Sequence, residues 1–584
     1  MSNSSPITIV ELEMDYCSLS FGTAPCTAAL GGVVANKCFN TFSSCKDKEN
    51  FTKSSLVYRF VQPRSDYPKG ATTFPCLIDT SGRSAQANIA GSDDQLYALG
   101  KRAVITATFD DFPYHDRFMD KYQSERLSGA AQLSGVGYDP RQQGTFWTKF
   151  KARNPNYAGR PMREITGFIN DGVLTVDTVR HFIITEIKGP DTNGRVTVEG
   201  KDVLKLADDD RALAPLPSRG KITEDIDDTG GATVALNPAG IGSEYSASGF
   251  AAIGSELVRF TRSGDNVTIT QRGVSGTSAS AHSVDDTFQE TFSPRLEQIH
   301  VVIRDLLLLA NVDPSFIPFA DWTAEVNKWA TNLFLTADIM KPTGVSKLIG
   351  ELAVLGLTIW WDEIDQEIKL LVNHPVDTLD IKPINDRNNI IMANQEDRSK
   401  DRLTEVLFNT VQIDPSGGTD DNNFSRGLFT IDAEAKLAAS FGDTKIKAIN
   451  CRWINHGDDA TVRILSKRLL NRFRDTPVRY VVEMDYRDDV KVADVVELTS
   501  DIITSDTGEL QTRLTQVIMS ETLERGSRIK AVLQNFQFGE RYAYFTDNAR
   551  PDYNASTDEQ KLKGGYWVDA DLLFDDNTEA YKFI

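Results

Sequence analysis

Short runs in which apolar and polar residues alternate recur along most of this 584-residue chain. ITIVELEM, LVYRFVQP, RAVITATFDDF, RHFIITEIKG, RVTVEGKDV, ELVRFTR, NVTITQRG, RYVVEMDYR and RIKAVLQNFQF all carry β-branched or aromatic residues in this pattern. A period near two builds a half-buried strand and cannot present one continuous face on a helix. The fold class that follows is mainly β with minor α. At this length it must also be multidomain.

Turn chemistry supports the strands. Asn193-Gly194 between HFIITEIKGPDT and RVTVEGKD is a strong hairpin signal, and Arg525-Gly526 stands in the same place between LTQVIMSETLE and SRIKAVLQ. Both β regions thus end in strand–turn–strand. That hints at a duplicated module, although identity between the two hairpins is negligible.

Helices are few. VVIRDLLLLANV, broken by Arg304 and Asp305, reads as a core helix and is too short for a bilayer. Residues 345–355 place Leu348, Leu352 and Leu355 on one face, with Gly356 as the stop. LTIWWDEIDQEIKLLVNH reads as a hairpin. Residues 459–474 align Val462, Leu465, Leu469 and Phe473, and Asp458 or Asp459 can cap them.

Composition shifts divide the chain into a cysteine-bearing segment (1–60), a first β domain (61–220) and a small Gly/Ser/Thr-rich β-barrel (221–292). A helical and hairpin segment (293–394), a second β domain (395–544) and a C-terminal arm (545–584) follow. The arm is too short for a core of its own, yet it carries Tyr566, Trp567 and Phe574 among several aspartates. Aromatics on such a tail are expected to anchor it to a partner.

The formal charge of −20 and the lack of basic runs or aromatic–basic stripes argue against a nucleic-acid binder, since affinity for phosphate needs concentrated Lys and Arg. The N-terminus, MSNSSPITIVELEM, has no basic stretch followed by an apolar core, so it does not read as a secretory signal. No transmembrane segment is expected, and the chain is expected to fold in a reducing cytoplasm.

Four of the six cysteines, Cys17, Cys26, Cys38 and Cys45, fall in one short stretch with eight, eleven and six residues between them. A chain of this size does not need staples to fold. Structural zinc sites draw on pairs two to four residues apart, which these are not. Disulfides require assembly outside the cell. An iron–sulfur cluster takes four thiolates at wide spacing. Four free core thiols fit poorly, since Cys17, Cys26 and Cys45 sit among Ser, Thr, Pro and Lys. Zinc, disulfide and iron–sulfur remain open on spacing alone.

Catalytic patterns are missing. His115, His181, His282, His300, His374 and His456 form no HExxH or HxH pair, and no GxSxG elbow appears. Adjacent carboxylates such as Asp110–Asp111, Asp285–Asp286, Asp420–Asp421 and Asp488–Asp489 are expected at turns and caps. The chain reads as a non-enzyme. Two other readings stay in view: a cell-wall hydrolase using an unrecognised carboxylate pair, and a metal–thiolate redox protein.

The order CSLSFGTAPCTAAL, then KCFNTFSSCKDKENF, resembles the cysteine segment of tail-tip (baseplate) hub proteins of long-tailed siphophages, with a cluster similar to that of the lambda representative. ATFDDFPYHDR, GTFWTKFKARNPNYAGRPMREITGFI, TRHFIITEIKGPDTNGRVTVEGKDVLKLADDDRALAPLPS and TRSGDNVTITQRGVSGTSASAHSVDD extend the resemblance over roughly residues 10–290. It implies two tube-like β hub modules with the barrel inserted between them, in a homotrimer at the virion tail tip. The implied cofactor is a four-iron, four-sulfur (4Fe-4S) cluster on Cys17, Cys26, Cys38 and Cys45, with zinc as the alternative. If one of these ligands is not used, Cys76 is the expected replacement. The implied partners are the distal tail protein ring, the tape measure protein and the central tail fibre, in a role in host cell entry.

Overall fold

The computed structural model describes residues 4–28, 38–63, 65–88, 100–114, 144–208, 212–374, 381–432, 436, 444–488, 490–524, 528–535, 544–545, 555–557 and 564–565. The chain falls into two compact units. One comprises Met1–Ala85, Arg102–Lys205 and Trp361–Glu367; the other comprises Gln86–Lys101, Leu206–Trp360 and Ile368–Ile584. Among the described residues no helix is long and apolar enough to cross a membrane.

The first unit is built on eight strands: β1 (Ser4–Cys17), β2 (Lys53–Val61), β3 (Thr73–Phe74), β4 (Leu77–Arg83), β5 (Val104–Asp110), β6 (Pro161–Asn170), β7 (Val173–Lys188) and β8 (Arg195–Lys201). They lie side by side in the order β3-β2-β1-β6-β7-β8-β5-β4. Helix α1 (Phe146–Arg153) follows β5 in the chain. Its Phe146, Trp147 and Phe150 enter the core beside Tyr58, Phe60, Phe74 and Phe109. Trp147 stacks on Phe60 at 5.2 Å between ring centroids and leans on Phe109 at 4.9 Å. The sheet runs through the boundary expected at residue 60, because β1 and β2 are central strands whose Ile9, Leu12 and Phe60 are fully buried.

The second unit opens with the two-residue β9 (Leu213–Ala214) and then a barrel. Its strands are β10 (Lys221–Ile222), β11 (Thr233–Asn237), β12 (Ser248–Ile253), β13 (Glu256–Ser263), β14 (Asn266–Gln271) and β15 (Phe288–Glu290). They are ordered β10-β11-β14-β13-β12-β15. The ends meet: Ile222 N–H donates to Asp286 O at 3.0 Å and Phe288 N–H to Gly220 O at 2.9 Å. Closure removes the free edges, and Val258, Phe260, Val267, Ile269 and Phe288 fill the interior. At the start of β13 the carboxylate of Glu256, fully buried, takes both arms of Arg272 (2.6 and 2.7 Å), the N–H groups of Gly273 and Ser280, and His282 Nε2 at 2.8 Å. Burial pushes this carboxyl up, but the hydrogen bonds of Arg272, Ser280, His282 and Gly273 outweigh it and hold it down at about 2.

Next come β16 (Arg295–Gln298), α2 (Ile299–Leu309), α3 (Phe319–Trp329), β17 (Phe334–Thr336), β18 (Thr343–Gly344) and α4 (Val345–Ala353). Helix α2 buries Ile299, Val302, Ile303, Leu306 and Leu307, as the i, i+3, i+4 spacing requires. Gly356 takes φ +100 just past α4, which a residue with a side chain rarely does. β19 (Leu357–Asp362) and β20 (Glu367–Val372) form the expected hairpin.

The last β region contains β21 (Lys382–Asn385), β22 (Ile390–Asp397), β23 (Glu405–Gln412), β24 (Phe424–Ile431) and β25 (Ile446–Asn450). Helix α5 (Asp459–Phe473) follows, capped by Asp458, which accepts from Thr461 N–H at 3.1 Å. The chain continues in β26 (Val478–Asp485), β27 (Val495–Thr504), β28 (Leu510–Glu524) and β29 (Arg528–Asn535). Six of these strands make a sheet in the order β21-β27-β28-β29-β26-β22.

That sheet repeats the first. The antiparallel run β4-β5-β8-β7-β6 has the same chain order as β22-β26-β29-β28-β27. The register repeats as well. Leu77 pairs with Phe109, Ile78 is skipped, and Asp79 pairs with Thr108. Ile390 pairs with Met484, Ile391 is skipped, and Met392 pairs with Glu483. In the terminal hairpins Thr185 is skipped between the pairs Ile184–Gly200 and Glu186–Glu199. Ile518 is skipped between Val517–Leu533 and Met519–Val532. Asp110 lies opposite Arg195, and Asp485 opposite Arg528. With strands matched this way, buried Ile105, Ala107 and Phe109 correspond to buried Tyr480, Val482 and Met484. Two coincident bulges in one register mark a duplicated module, since a bulge is a placed feature that re-aims its strand. The modules differ at one edge: β6 receives β1 antiparallel, whereas β27 receives β21 parallel.

The hairpin at Asn193-Gly194 is present, but its loop is longer than a two-residue turn. Asp191 closes it, accepting from the N–H groups of Asn193 and Arg195, both at 2.8 Å, with Gly194 at φ +74. Arg525-Gly526 lies outside the described residues.

Candidate metal centre

The four clustered cysteines occupy the connection between β1 and β2 in the first unit. Cys17 ends β1 opposite Lys53 and is buried. From there the chain leaves the sheet through tight turns, in which Thr23 N–H reaches Ser20 O at 3.2 Å and Cys26 N–H reaches Thr23 O at 2.9 Å. On the return, Ser44 N–H bonds Thr41 O and Cys45 N–H bonds Phe42 O, both near the thiols. None of the six cysteines is in a disulfide, and Cys26, Cys38 and Cys45 are half-buried.

Two polar side chains gather the thiols in pairs. Asn40, in the left-handed region at φ +55, donates from its side chain to Cys17 O (3.1 Å) and Leu19 O (3.3 Å). Its own N–H points at Cys38 Sγ, 3.4 Å away, and its C=O accepts Cys17 N–H at 2.7 Å. Asparagine suits this place because it tolerates the left-handed conformation and bonds locally. Asn40 therefore ties Cys17 to Cys38. Asp47 does the same for the other pair. It accepts from Thr27 N–H (2.6 Å) and Thr27 Oγ1 (2.9 Å), next to Cys26, while its own N–H points at Cys45 Sγ, 3.4 Å away. The Thr27 N–H, then Asn50 and the Thr27 hydroxyl, hold the Asp47 carboxyl below the usual range.

The four sulfurs act on one another. Burial raises Cys38; the N–H of Asn40 opposes it, and charge on Cys45, Cys26 and Cys17 would raise it further. Burial also raises Cys45, opposed by the N–H of Asp47, with Cys17 and Cys26 adding to the rise. So these four side chains lie within electrostatic reach of each other. Among the described residues, however, no three His, Cys, Asp or Glu side chains close to the spacing of a single-ion site.

The end of helix α1 borders this region. The Arg153 guanidinium lies over the Phe39 ring at 3.7 Å, the Ser43 hydroxyl bonds the Arg153 carbonyl, and Phe42 meets Phe51 edge-on at 5.3 Å. Sequence reasoning singled out the thiols but not Asn40 or Asp47. The signal that could have found them is an Asn or Asp two residues after a cysteine, in CFN and in CKD.

Cys76 does not join the set. It is buried in the core beside Phe74 and Leu77, and burial, with Asp110 and Asp111 adding, pushes its thiol far up. Cys451 is likewise buried, its thiol pushed up to about 12 by burial. The adjacent carboxylates are engaged in structure. Asp110 pairs with Arg195 at 2.9 Å, and Asp111 accepts the Trp147 N–H at the start of α1. Asp286 accepts Ser283 N–H, Asp421 accepts from Asn450 and Asp488 from Asn389. His115, Tyr566, Trp567 and Phe574 lie outside the described residues.

No family model and no curated protein matches this chain. Among solved structures, a tail protein from Neisseria meningitidis MC58 is similar at 12% identity, covering 78% of this chain and 97% of its own, with a TM-score of 0.33. The 43 kDa tail protein of prophage MuSo2 from Shewanella oneidensis is 8% identical over 79% of this chain and 98% of its own, TM-score 0.33. Prophage tail protein gp18 from Listeria monocytogenes EGD-e is 9% identical over 83% and 92%, TM-score 0.31. Scores this low do not amount to a shared fold.

Proposed function

We propose that this chain is a structural protein of a phage tail tip, a hub that closes the distal end of the tail tube. The observation that carries the reading is the repeated sheet. One chain holds two copies of a module with the same strand order and two coincident bulges, although β6–β7 and β27–β28 break register differently. Three such chains present six similar sheets. That resolves a mismatch of symmetry between a sixfold tube and a threefold central fibre, and closed cyclic symmetry is the norm for homo-oligomers. The resemblance of residues 10–290 to siphophage hub proteins points the same way. On this reading the partners are the distal tail protein ring, the tape measure protein, the central fibre and two further copies of the chain. The paired carboxylates serve as caps and turn groups, which favours a scaffold over a wall hydrolase. A turbidity assay on peptidoglycan that shows no clearing is the expected outcome.

The cofactor is proposed with it. Four clustered thiols with eight, eleven and six residues between them, not the two to four of structural zinc pairs, suit a cuboidal cluster. The backbone N–H groups of Asn40 and Asp47 aimed at two of the sulfurs suit a ligated thiolate, since such bonds tune and hold a cluster. Cys17, Cys26, Cys38 and Cys45 would be its ligands, and the cluster would clamp the β1–β2 connection. Protein purified without oxygen is expected to be brown, with iron and sulfide in equal amounts. A colourless protein with stoichiometric zinc, or with no metal, overturns this assignment and leaves the repeated module standing.

A further inference from the structure

A cleft of about 140 Å³ opens in the second unit between the end of α3 and one face of α5. Leu355, Leu357 and Val372 form its floor, all nearly fully buried. Ile464 of α5 also lines it yet stands 49% exposed, which puts this side chain at the mouth. Trp329 makes one wall. Its ring is held in place, stacked flat on His374 at 4.1 Å with the Lys328 ammonium 5.0 Å from the ring centroid. A wall fixed in advance costs a guest little to order.

Charge here runs against the rest of the chain. The formal charge is −20, yet Lys328 and Arg468 line the cleft and none of the described residues lining it is Asp or Glu. Glu325, one turn before Trp329 on α3, is engaged elsewhere: it accepts the Val372 N–H at 2.9 Å and lies 3.8 Å from His374 Nε2. Arg468 donates from one nitrogen to the Trp329 carbonyl at 2.7 Å, which pins the guanidinium to the end of α3. Its Nε is buried with no hydrogen-bond partner. A buried guanidinium N–H without an acceptor is costly, and a carboxylate is the group that satisfies it best. The space is one ring in size, since an apolar cavity of about 150 Å³ accepts a guest like benzene.

We propose that the cleft between α3 and α5 binds a small monocarboxylate that carries one apolar ring. The ring rests on Leu355, Leu357 and Val372 against Trp329, and the carboxylate meets Arg468. The floor supplies the affinity, the guanidinium the direction, and Lys328 a longer-range attraction for the anion. The proposal rests on neither the thiol site nor the tail-tip reading, and its failure leaves both standing.

Saturation-transfer NMR on the full chain tests it, with phenylacetate as the probe. Acetate, which lacks the ring, and 2-phenylethanol, which lacks the charge, are the controls. The expected dissociation constant for phenylacetate is about 1 mM, in keeping with a ligand of about ten heavy atoms. The alcohol should bind at least about tenfold more weakly, the loss of a charge-assisted hydrogen bond, and acetate should give no transfer. Arg468→Met should abolish the preference for the acid over the alcohol. Ile464→Trp should abolish binding of both, because the larger side chain fills the mouth. Ile464 is half-exposed, so this variant keeps α5 folded and decides the matter if Arg468→Met misfolds. No transfer to phenylacetate at about 10 mM overturns the proposal. So do equal affinities for the acid and the alcohol, or binding that survives Ile464→Trp.

Discussion

The two modules share a sheet but not a core. In the first, nine aromatic residues (Tyr58, Phe60, Phe74, Phe109, Tyr114, Phe146, Trp147, Phe150 and Phe182) crowd the buried cluster, three of them from α1. In the second, the matching cluster is aliphatic apart from Tyr480 and takes nothing from a helix. Yet strand order and two bulges, in β4–β5 against β22–β26 and in β7–β8 against β28–β29, coincide. The difference teaches that register is set by alternation and bulge position, while the filling is free to change once total volume is met. It also explains why the repeat is invisible as identity. The first module alone has spent its β1–β2 connection on a thiol site; the second has a short parallel β21 at that edge.

The sharpest way to break this comparison is to truncate matched core residues. Phe109→Ala should cost about 3 to 5 kcal/mol and Met484→Ala about 2 to 5 kcal/mol, each confined to its own module. Hydrogen exchange would show it as local loss of protection, because a multidomain chain gives no single unfolding midpoint. If Phe109→Ala loosens the second module as much as the first, the modules are not separate cores.

The barrel between them is held differently, by charge. The Glu256 carboxyl sits at about 2 in the folded state, below its unfolded value of about 4.3. A depressed carboxyl stabilises above the unfolded value and loses that contribution as pH falls through the folded one. The network is thus worth about 3 kcal/mol at neutral pH, and that is lost between about pH 4.3 and 2. Following the barrel's amide signals during acidification checks this. Glu256→Gln should remove the pH dependence in that window and lower stability at pH 7 by a similar amount.

A swap sharpens the comparison further. Gly200 and Leu533 hold equivalent places in the paired hairpins. A Cβ on Gly200 would lie 2.9 Å from both Ile105 Cγ2 and Met162 Sδ. Gly200→Leu should therefore destabilise by about 1 to 3 kcal/mol through overpacking, although its twin module carries leucine there. Chemical denaturation followed by hydrogen exchange separates this local cost from a global one. The smallest effect is expected at the matched Asp/Arg positions. Asp110→Asn removes a half-exposed ion pair with Arg195 and should cost under about 1 kcal/mol, as should Asp485→Asn.

Much of this was legible in the sequence. β1, β2, β5, β7 and β8 of the first module, β26, β28 and β29 of the second, α5 with its Asp458 cap, the core helix near Val301, the Gly356 stop and the β19–β20 hairpin follow from spacing, whereas β4, β6, β22 and β27 lie outside the alternating runs. Helices α1 and α3 did not. In residues 146–153 Phe146, Trp147 and Phe150 carry no period long enough to tell a two-turn helix from a strand. The domain edge at residue 60 failed for another reason. Pairing of β1 with β6 joins residues some 150 apart, and no local pattern records that. At the thiol site the four cysteines stood out by density. The gatherers Asn40 and Asp47 are ordinary turn residues until their partners are known.

The central claim is that one chain carries two copies of a tube-like module so that three chains can face a sixfold tube. Electron microscopy of the purified, assembled full chain tests it directly. The account predicts a threefold particle whose six sheets lie in one ring with near-sixfold symmetry. A stable monomer, a dimer, or a ring in which only one module per chain takes part would contradict it.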